Sequence, residues 1–416
     1  MTATDPTMTP TLVRNDAPSP QPLTDLQVAA KAMRALTEDL RDSFVQRDVE
    51  ALLLCVALIA EEHLLLLGKP GTAKTKIVTA FVGRLGIAPA QLYKYLLGKT
   101  TQPDELFGAM DMVAYKKGIV RTVTTGKLPE ATVAVLDEIF KGNSAILNSM
   151  LTIINEREYH NPTPVAVPLQ LVVGMSNELP EGGAHGYLGA LYDRFLFRRW
   201  VDGIDVGTED APNADGVAGL RGLLVGGGVR PLMASVTQAQ VATLRAARHM
   251  VDLEPVVDAV MRIKMALEQQ GLEISDRRLI KAMTAVRAHA VLHGRSTATL
   301  ADIAILAHCL WDEPEQARMV QAIVMSEADK ALALAMEQRD IALEAMATVP
   351  GPGKMETLAE YGAWSTLAIT ANGAIKEARR VVQGLGSDSA QVVAVDAELH
   401  RFMAQIDADS NRRLMG

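Results

Sequence analysis

Apolar and polar residues follow two different rhythms along this chain. Before about residue 205, short, mainly apolar runs are followed by polar residues at their C-terminal ends: "HLLLL", "QLYKYLL", "TVAVLDE" and "LQLVVGMSN". Runs of that length without a polar face predict strands covered on both sides, as in a parallel sheet. Between them lie stretches with helical spacing, such as "KIVTAFVGRL" and "GNSAILNSMLTIINE". Strands alternating with helices predict an α/β fold with helices on both faces of the sheet, and ligands then bind beyond the carboxyl ends of the strands. Two stretches interrupt the alternation. "DMVAYKKGIVRTVTTG" reads as a hairpin around a Lys-Gly turn, and "EREYHNPTPVAVPLQ" as another around Asn161 and Pro162.

The rest of the pattern is helical. A helix is expected from Leu23 to Asp42, then a second, "RDVEALLLCVALIA", buried on most sides. "LYDRFLFRRW" reads as a helix-like segment beyond the sheet. Past residue 205 further helices fit at about 237–250, 254–270, 276–293 and 299–311. A long one runs from Pro314 to Met346, "TVPGPGK" breaks it, and two more, about 355–385 and 388–410, can pair as a hairpin. The expected division is a disordered tail (1–22), an αβα core (23–205), a linker (206–233), a helical lid (234–312) and a helical C-terminal extension (313–416).

A chain of 416 residues exceeds one compact core, and 49% hydrophobic residues supply enough material for several. The net charge of −8 argues against a main role in gripping nucleic acid. Cys55 and Cys309 sit in apolar helical contexts without metal-ligand spacing, which fits a reduced, cytoplasmic setting. The longest apolar stretch is broken by Glu61, Glu62 and His63, so no membrane span is expected, and no signal-peptide pattern opens the sequence.

Chemistry concentrates at the strand ends. "GKPGTAKT", Gly68 to Thr75, follows the P-loop pattern except that Ala73 replaces its second glycine. Such a turn points backbone N–H groups inward, and the helix N-terminus adds positive potential. Gly68, Pro70, Gly71, Thr72 and Ala73 would wrap the phosphates of ATP. Lys74 would reach the β- and γ-phosphates, and Thr75 would help to hold Mg²⁺. Alanine at 73 is acceptable if its φ is helical. Asp137 and Glu138 end an apolar run as a Walker B pair, Asp137 for Mg²⁺ and Glu138 for the attacking water. Asn177 ends another run and could align that water. Arg194, with Arg198 and Arg199 close by, could stabilise the transferring phosphoryl group from a neighbouring subunit. In "EISDRRLIKAM", Ser275 is a candidate N-cap, and Arg277 and Arg278 place positive charge where the helix dipole disfavours it. Each motif alone has a plainer reading: a turn lysine, a solvated strand end, a turn asparagine, a surface ion pair.

Together these residues resemble the AAA+ ATPases, and among them the MoxR family. "GKPGTAKT", "TTQPDELFG", "TTGKLPEA", "LDEIFKGNSAILNSMLTIINERE", "SNELPE", "LYDRFLFR" and "SDRR" carry the resemblance over roughly residues 25–312, with wording closest to the RavA-type branch. The resemblance implies an αβα nucleotide-binding domain and a helical lid assembled as a hexameric ring. It implies Arg194 as arginine finger, Asn177 as sensor 1 and Arg277, rather than Arg278, as sensor 2. The two hairpins become inserts that can face a pore or a partner. It implies a chaperone or remodelling motor with a von Willebrand factor A domain partner. The RavA type carries a β-rich part after its lid, whereas this tail reads as helical, so no partner of that part is carried over. Two other readings stay open: an AAA+ motor acting on DNA, for which "AYKKGIVR" is the support, and a nucleotide-gated interaction scaffold.

Overall fold

The computed structural model describes residues 24–415 apart from 143, 180–188, 208–212, 227–229, 351–356 and 386–389. The tail expected over 1–22 and parts of the expected linker lie outside the described residues.

Helices α1 (Asp25–Ser43) and α2 (Asp48–Ala60) lead into β1 (Leu64–Leu67) and the P-loop helix α3 (Lys74–Val82). Then come β2 (Leu92–Leu96), the short helices α4 (Pro103–Phe107) and α5 (Met112–Tyr115), β3 (Val133–Asp137) and α6 (Ser144–Glu156). A small antiparallel pair, β4 (Glu158–His160) and β5 (Pro164–Ala166), precedes β6 (Leu171–Ser176). After α7 (Gly189–Tyr192) the chain adds β7 (Phe197–Trp200). The main sheet is wholly parallel in the order β2-β3-β6-β1-β7. Every residue of β1 and β6 is buried, as continuous apolar runs require when helices cover both faces.

Two expectations change here. "FRRW" is an edge strand rather than a helix-like segment, because Phe197 pairs with Leu64 and Trp200 with Leu67. Its polar residues hid it: Arg198 is buried with its charge paired to Asp312. The first insert is a helical turn, not a strand hairpin. Asp111 caps α5 by accepting from the Val113 and Ala114 N–H groups and binds Arg121 at 2.7 Å, so the local cap outcompetes the ladder. One isolated bridge, Met110 to Thr122, remains. The second insert is the hairpin its sequence suggests, and the Asn161 side chain joins the two by pairing with both backbone groups of Thr122.

The helical half comprises α8 (Ala214–Leu224), inside the stretch read as linker, then α9 (Gln238–Arg248), α10 (Glu254–Gln269) and α11 (Asp276–Leu292). A 3₁₀ segment, Leu300–His308, and α12 (Ala317–Ala328) follow. The single helix expected over 314–346 is two, since Asp329 separates α12 from α13 (Lys330–Ala347). One apolar cluster runs from Ala29 to Ala328, so α12 packs with the lid rather than with the extension. A second cluster, Ala335 to Ile406, belongs to α13, α14 (Leu358–Gly384) and α15 (Ala390–Met415), a three-helix unit.

The lid packs on α1 and α2. Arg245 donates twice to the Leu58 carbonyl, at 3.0 and 2.8 Å, and Arg248 donates to the Ile59 carbonyl at 2.9 Å. These carbonyls close α2, where cations are favourable. Lys281 of α11 pairs with Glu62 at 2.6 Å. At the same edge, His63 Nδ1 accepts from the Val172 N–H at 3.0 Å, so Nε2 carries the proton and donates to the Ile154 carbonyl at 3.1 Å. Burial, with Arg157 beside it, holds His63 neutral well below the usual imidazole range, and burial brings His308 down to about 3.

In the unfolded chain both imidazoles gain a proton near pH 6.5, whereas in the fold they stay neutral. The stability they lend is therefore complete above pH 6.5 and is lost as the pH falls below it. A melting temperature followed by calorimetry will drop steadily from pH 7 to 4.5; a flat profile over that window contradicts the buried neutral histidines.

Candidate functional site

Sheet order assembles the site. β6 lies between β1 and β3, so the residue leaving β6 sits between the residues leaving its two neighbours. Those residues are Asn177, the P-loop and Asp137–Glu138. They line one open cleft of about 390 Å³ with Pro70 to Lys76 and Leu96.

The P-loop bends at three positive-φ positions. Gly68 has φ +132°, and a Cβ there would stand 2.3 Å from the Val201 carbonyl oxygen that follows β7. Gly71 has φ +84°. Ala73 has φ +64°, which overturns the expectation of a helical φ: the loop's curvature, not the side chain, sets that dihedral. Left-handed geometry costs an alanine roughly 1–2 kcal/mol, a strain found typically where surroundings over-determine the backbone. Glu138 is held the same way, with φ +52°.

Lys74 folds over the loop. Its ammonium donates to the Gly68 carbonyl, to the Lys69 carbonyl at 2.9 Å, and to Asn177 Oδ1 at 3.3 Å. Burial lowers its pKa, and the nearby Asp137 and Glu138 oppose that shift. Thr75 Oγ1 donates to Asp137 Oδ2 at 3.4 Å, so a hydroxyl and a carboxylate face the same point. Asn177 Nδ2 donates to Glu138 Oε1 at 2.5 Å, while Lys141 stands 3.3 Å from Oε2. One face of the cleft thus holds a cation above an anion nest, and the other a carboxylate aimed by an amide.

Arg47 was passed over in the sequence. Its buried guanidinium donates to three backbone carbonyls: Thr72 in the P-loop at 3.1 Å, Gln46 at 2.6 Å and Asp202 at 2.7 Å. It braces the loop from behind. A lone arginine after a helix turn carries no motif; only the fold brings those carbonyls together.

The remaining arginines lie elsewhere. Phe197 pairs with Leu64, the first residue of β1, so Arg194 sits beyond the amino edge of the sheet. The P-loop leaves the opposite edge, a strand length of about 10 Å away. Arg277 reaches Asn155 Oδ1 at 3.5 Å, next to the Ile154 carbonyl that takes His63, and so occupies that far edge too. Neither lines the cleft. Arg198 is buried against Asp312, Arg199 pairs with Glu50, and Arg278 donates to the Cys309 carbonyl. Burial pushes both thiols, Cys55 and Cys309, up to about 12.

Comparison with known proteins matches this arrangement. A family model described as the MoxR domain in the MoxR-vWA-beta-propeller ternary systems matches residues 31–212, and one for the AAA lid domain matches 255–324. Two uncharacterized proteins of Methanocaldococcus jannaschii are similar over most of their length. MJ0812 is 35% identical, with 74% of this chain and 79% of that protein covered; MJ0079 is 33% identical, with 74% and 78% covered. The chain belongs to the MoxR family of AAA+ ATPases. A crystal structure of a candidate ATPase from Cytophaga hutchinsonii shares the fold, with a TM-score of 0.55, 16% identity, and coverage of 73% of this chain and 96% of that one. In this MoxR protein the family's nucleotide-binding motifs coincide with the cleft.

Gly68→Ala will cost about 1–3 kcal/mol in denaturant unfolding, because the dihedral and the Val201 carbonyl both reject a methyl group. Gly71→Ala also has an unfavourable φ but meets nothing within 4 Å, and will cost less. Equal losses would contradict the close approach.

Proposed function

We propose that this MoxR protein is an ATP-hydrolysing remodelling motor. The observation that carries the reading is the convergence of Lys74, Thr75, Asp137, Glu138 and Asn177 on one cleft. The loop amides and Lys74 bind the phosphates. The oxygen of a water held by Glu138 attacks the γ-phosphorus, and Glu138 takes its proton. The bond to the bridging oxygen breaks and its electron pair leaves with ADP, releasing inorganic phosphate. The 2.5 Å bond from Asn177 keeps the Glu138 carboxylate turned toward the water and relays contact with the γ-phosphate. The oxygens of Thr75 and Asp137 are hard donors facing one another, a pair that suits Mg²⁺ alongside phosphate oxygens. When bound, that ion neutralises charge on the phosphates.

Neither Arg194 nor Arg277 lines its own cleft, which supports action of Arg194 on a neighbouring subunit of a ring, taken as a hexamer. Arg194 then serves as the finger and Arg277 as sensor 2. The description of the matched family model favours a von Willebrand factor A domain partner and a β-propeller component. The RavA-like wording of the motifs supports kinship with that branch. An exposed apolar surface on the first insert, with Met112, Val113, Tyr115 and Val120 around Lys116 and Lys117, suits a protein client better than DNA. Arg121 is already engaged by Asp111. No described helix is long and apolar enough to cross a membrane. A reduced, cytoplasmic setting fits the two buried thiols.

Glu138→Gln will retain ATP while lowering turnover by roughly 10²-fold or more, and Lys74→Ala will lose binding. Nucleotide binding by calorimetry and phosphate release will check both. Undiminished turnover in Glu138→Gln sinks the assignment.

A further inference from the structure

We infer that Asp193 is a positioning residue for Arg194 and that it couples the aim of this arginine to the lid. The inference rests on the proposed action of Arg194 at a neighbouring cleft.

The residues on both sides of Arg194 are tied by their side chains to the end of the lid. The Tyr192 hydroxyl donates to the Asp312 carbonyl at 2.5 Å. Arg198, 1% exposed, donates to the Trp311 carbonyl and to Asp312 Oδ1, both at 2.6 Å, and its guanidinium carbon lies 3.9 Å from the centre of the Tyr192 ring. Tyr192 and Arg198 are therefore held on the lid. The Arg194 side chain between them has fewer ties: it is about one-fifth exposed, and its buried Nε has no hydrogen-bond partner among the described residues. Its ionic contact is Asp193 Oδ2, at 3.7 Å.

The other oxygen of that carboxylate belongs to the lid. Asp193 Oδ1 accepts from Arg278 at 3.2 Å, and Arg278 also donates to the Cys309 carbonyl at 2.7 Å. Arg278 is buried, and that burial brings its pKa down to about 10. The charge of Arg278 is favoured by Asp312 as well as by Asp193, whose side chain is about half exposed, so what ties Asp193 to α11 is its direct contact with the Arg278 guanidinium. Arg278 thus pins Asp193, and Asp193 limits where Arg194 can swing. Any rotation of α11 moves Arg278, and through one carboxylate it moves the arginine presented to the next subunit. A surface ion pair would lack the second, buried arm.

Mixed rings test this. Lys74→Ala subunits lack a working cleft but carry Arg194; Arg194→Ala subunits have the converse. Each alone will hydrolyse little ATP, and the mixture will recover activity where a donor arginine meets an acceptor cleft. Adding Asp193→Asn to the Lys74→Ala donor will cut that recovery roughly fivefold or more. Adding it to the Arg194→Ala acceptor, which has no arginine to aim, will leave recovery within about twofold, and this arm also reports that the variant folds. Equal losses in both arms mean a purely structural role and overturn the inference, as does unchanged or higher recovery with the altered donor. If the unaltered pair fails to recover at all, action on a neighbouring subunit is itself wrong and the inference falls with it.

Discussion

The insertion of β6 between β1 and β3 is the constraint on which the site depends. Neighbouring parallel strands lie about 4.8 Å apart, so three consecutive strand ends span only about 10 Å. That is the scale of a triphosphate and its attacking water. Lys74, Asn177 and the acidic pair come within hydrogen-bond reach because their strands are adjacent, although more than a hundred residues separate Lys74 from Asn177 along the chain.

The same sheet separates two sets of residues. Its carboxyl edge carries the loop from Gly68 to Thr75, Asp137, Glu138 and Asn177, and its amino edge carries Arg194, Arg277 and the seams to the lid. Crowding at the amino edge is electrostatic. Glu61, Glu62, Arg157, Arg245, Arg248 and Lys281 meet there around the buried His63. The carboxyl edge is held instead by backbone geometry, with two non-glycine residues, Ala73 and Glu138, in left-handed conformations and Arg47 clamping the loop from behind.

Much of this was legible in the sequence. The strands β1, β3 and β6 show as apolar runs because a doubly covered strand has no polar face to disguise it, and β2, at the edge with only Tyr93 buried, shows by its aromatic and leucine residues around Lys94. The P-loop and the acidic pair show because phosphate chemistry allows few alternatives. β7 was not legible: half its residues are arginines paired with Asp312 and Glu50, distant in the chain. The dihedral at Ala73 was misread because residue type is a weak guide where the loop dictates conformation. The first insert misled because alternation suggested a ladder, while the Asp111 cap closed a helical turn.

The guanidinium caps on α2 set an order of events during synthesis. The carbonyls of Leu58 and Ile59 wait for donors 187 and 189 residues further along the chain. Until the ribosome has released α9, that helix end must be satisfied by water, and the apolar sides of α1 and α2 that α9 later covers stay uncovered. The emerging chain therefore matures back to front: its first two helices are sealed only when a late one arrives.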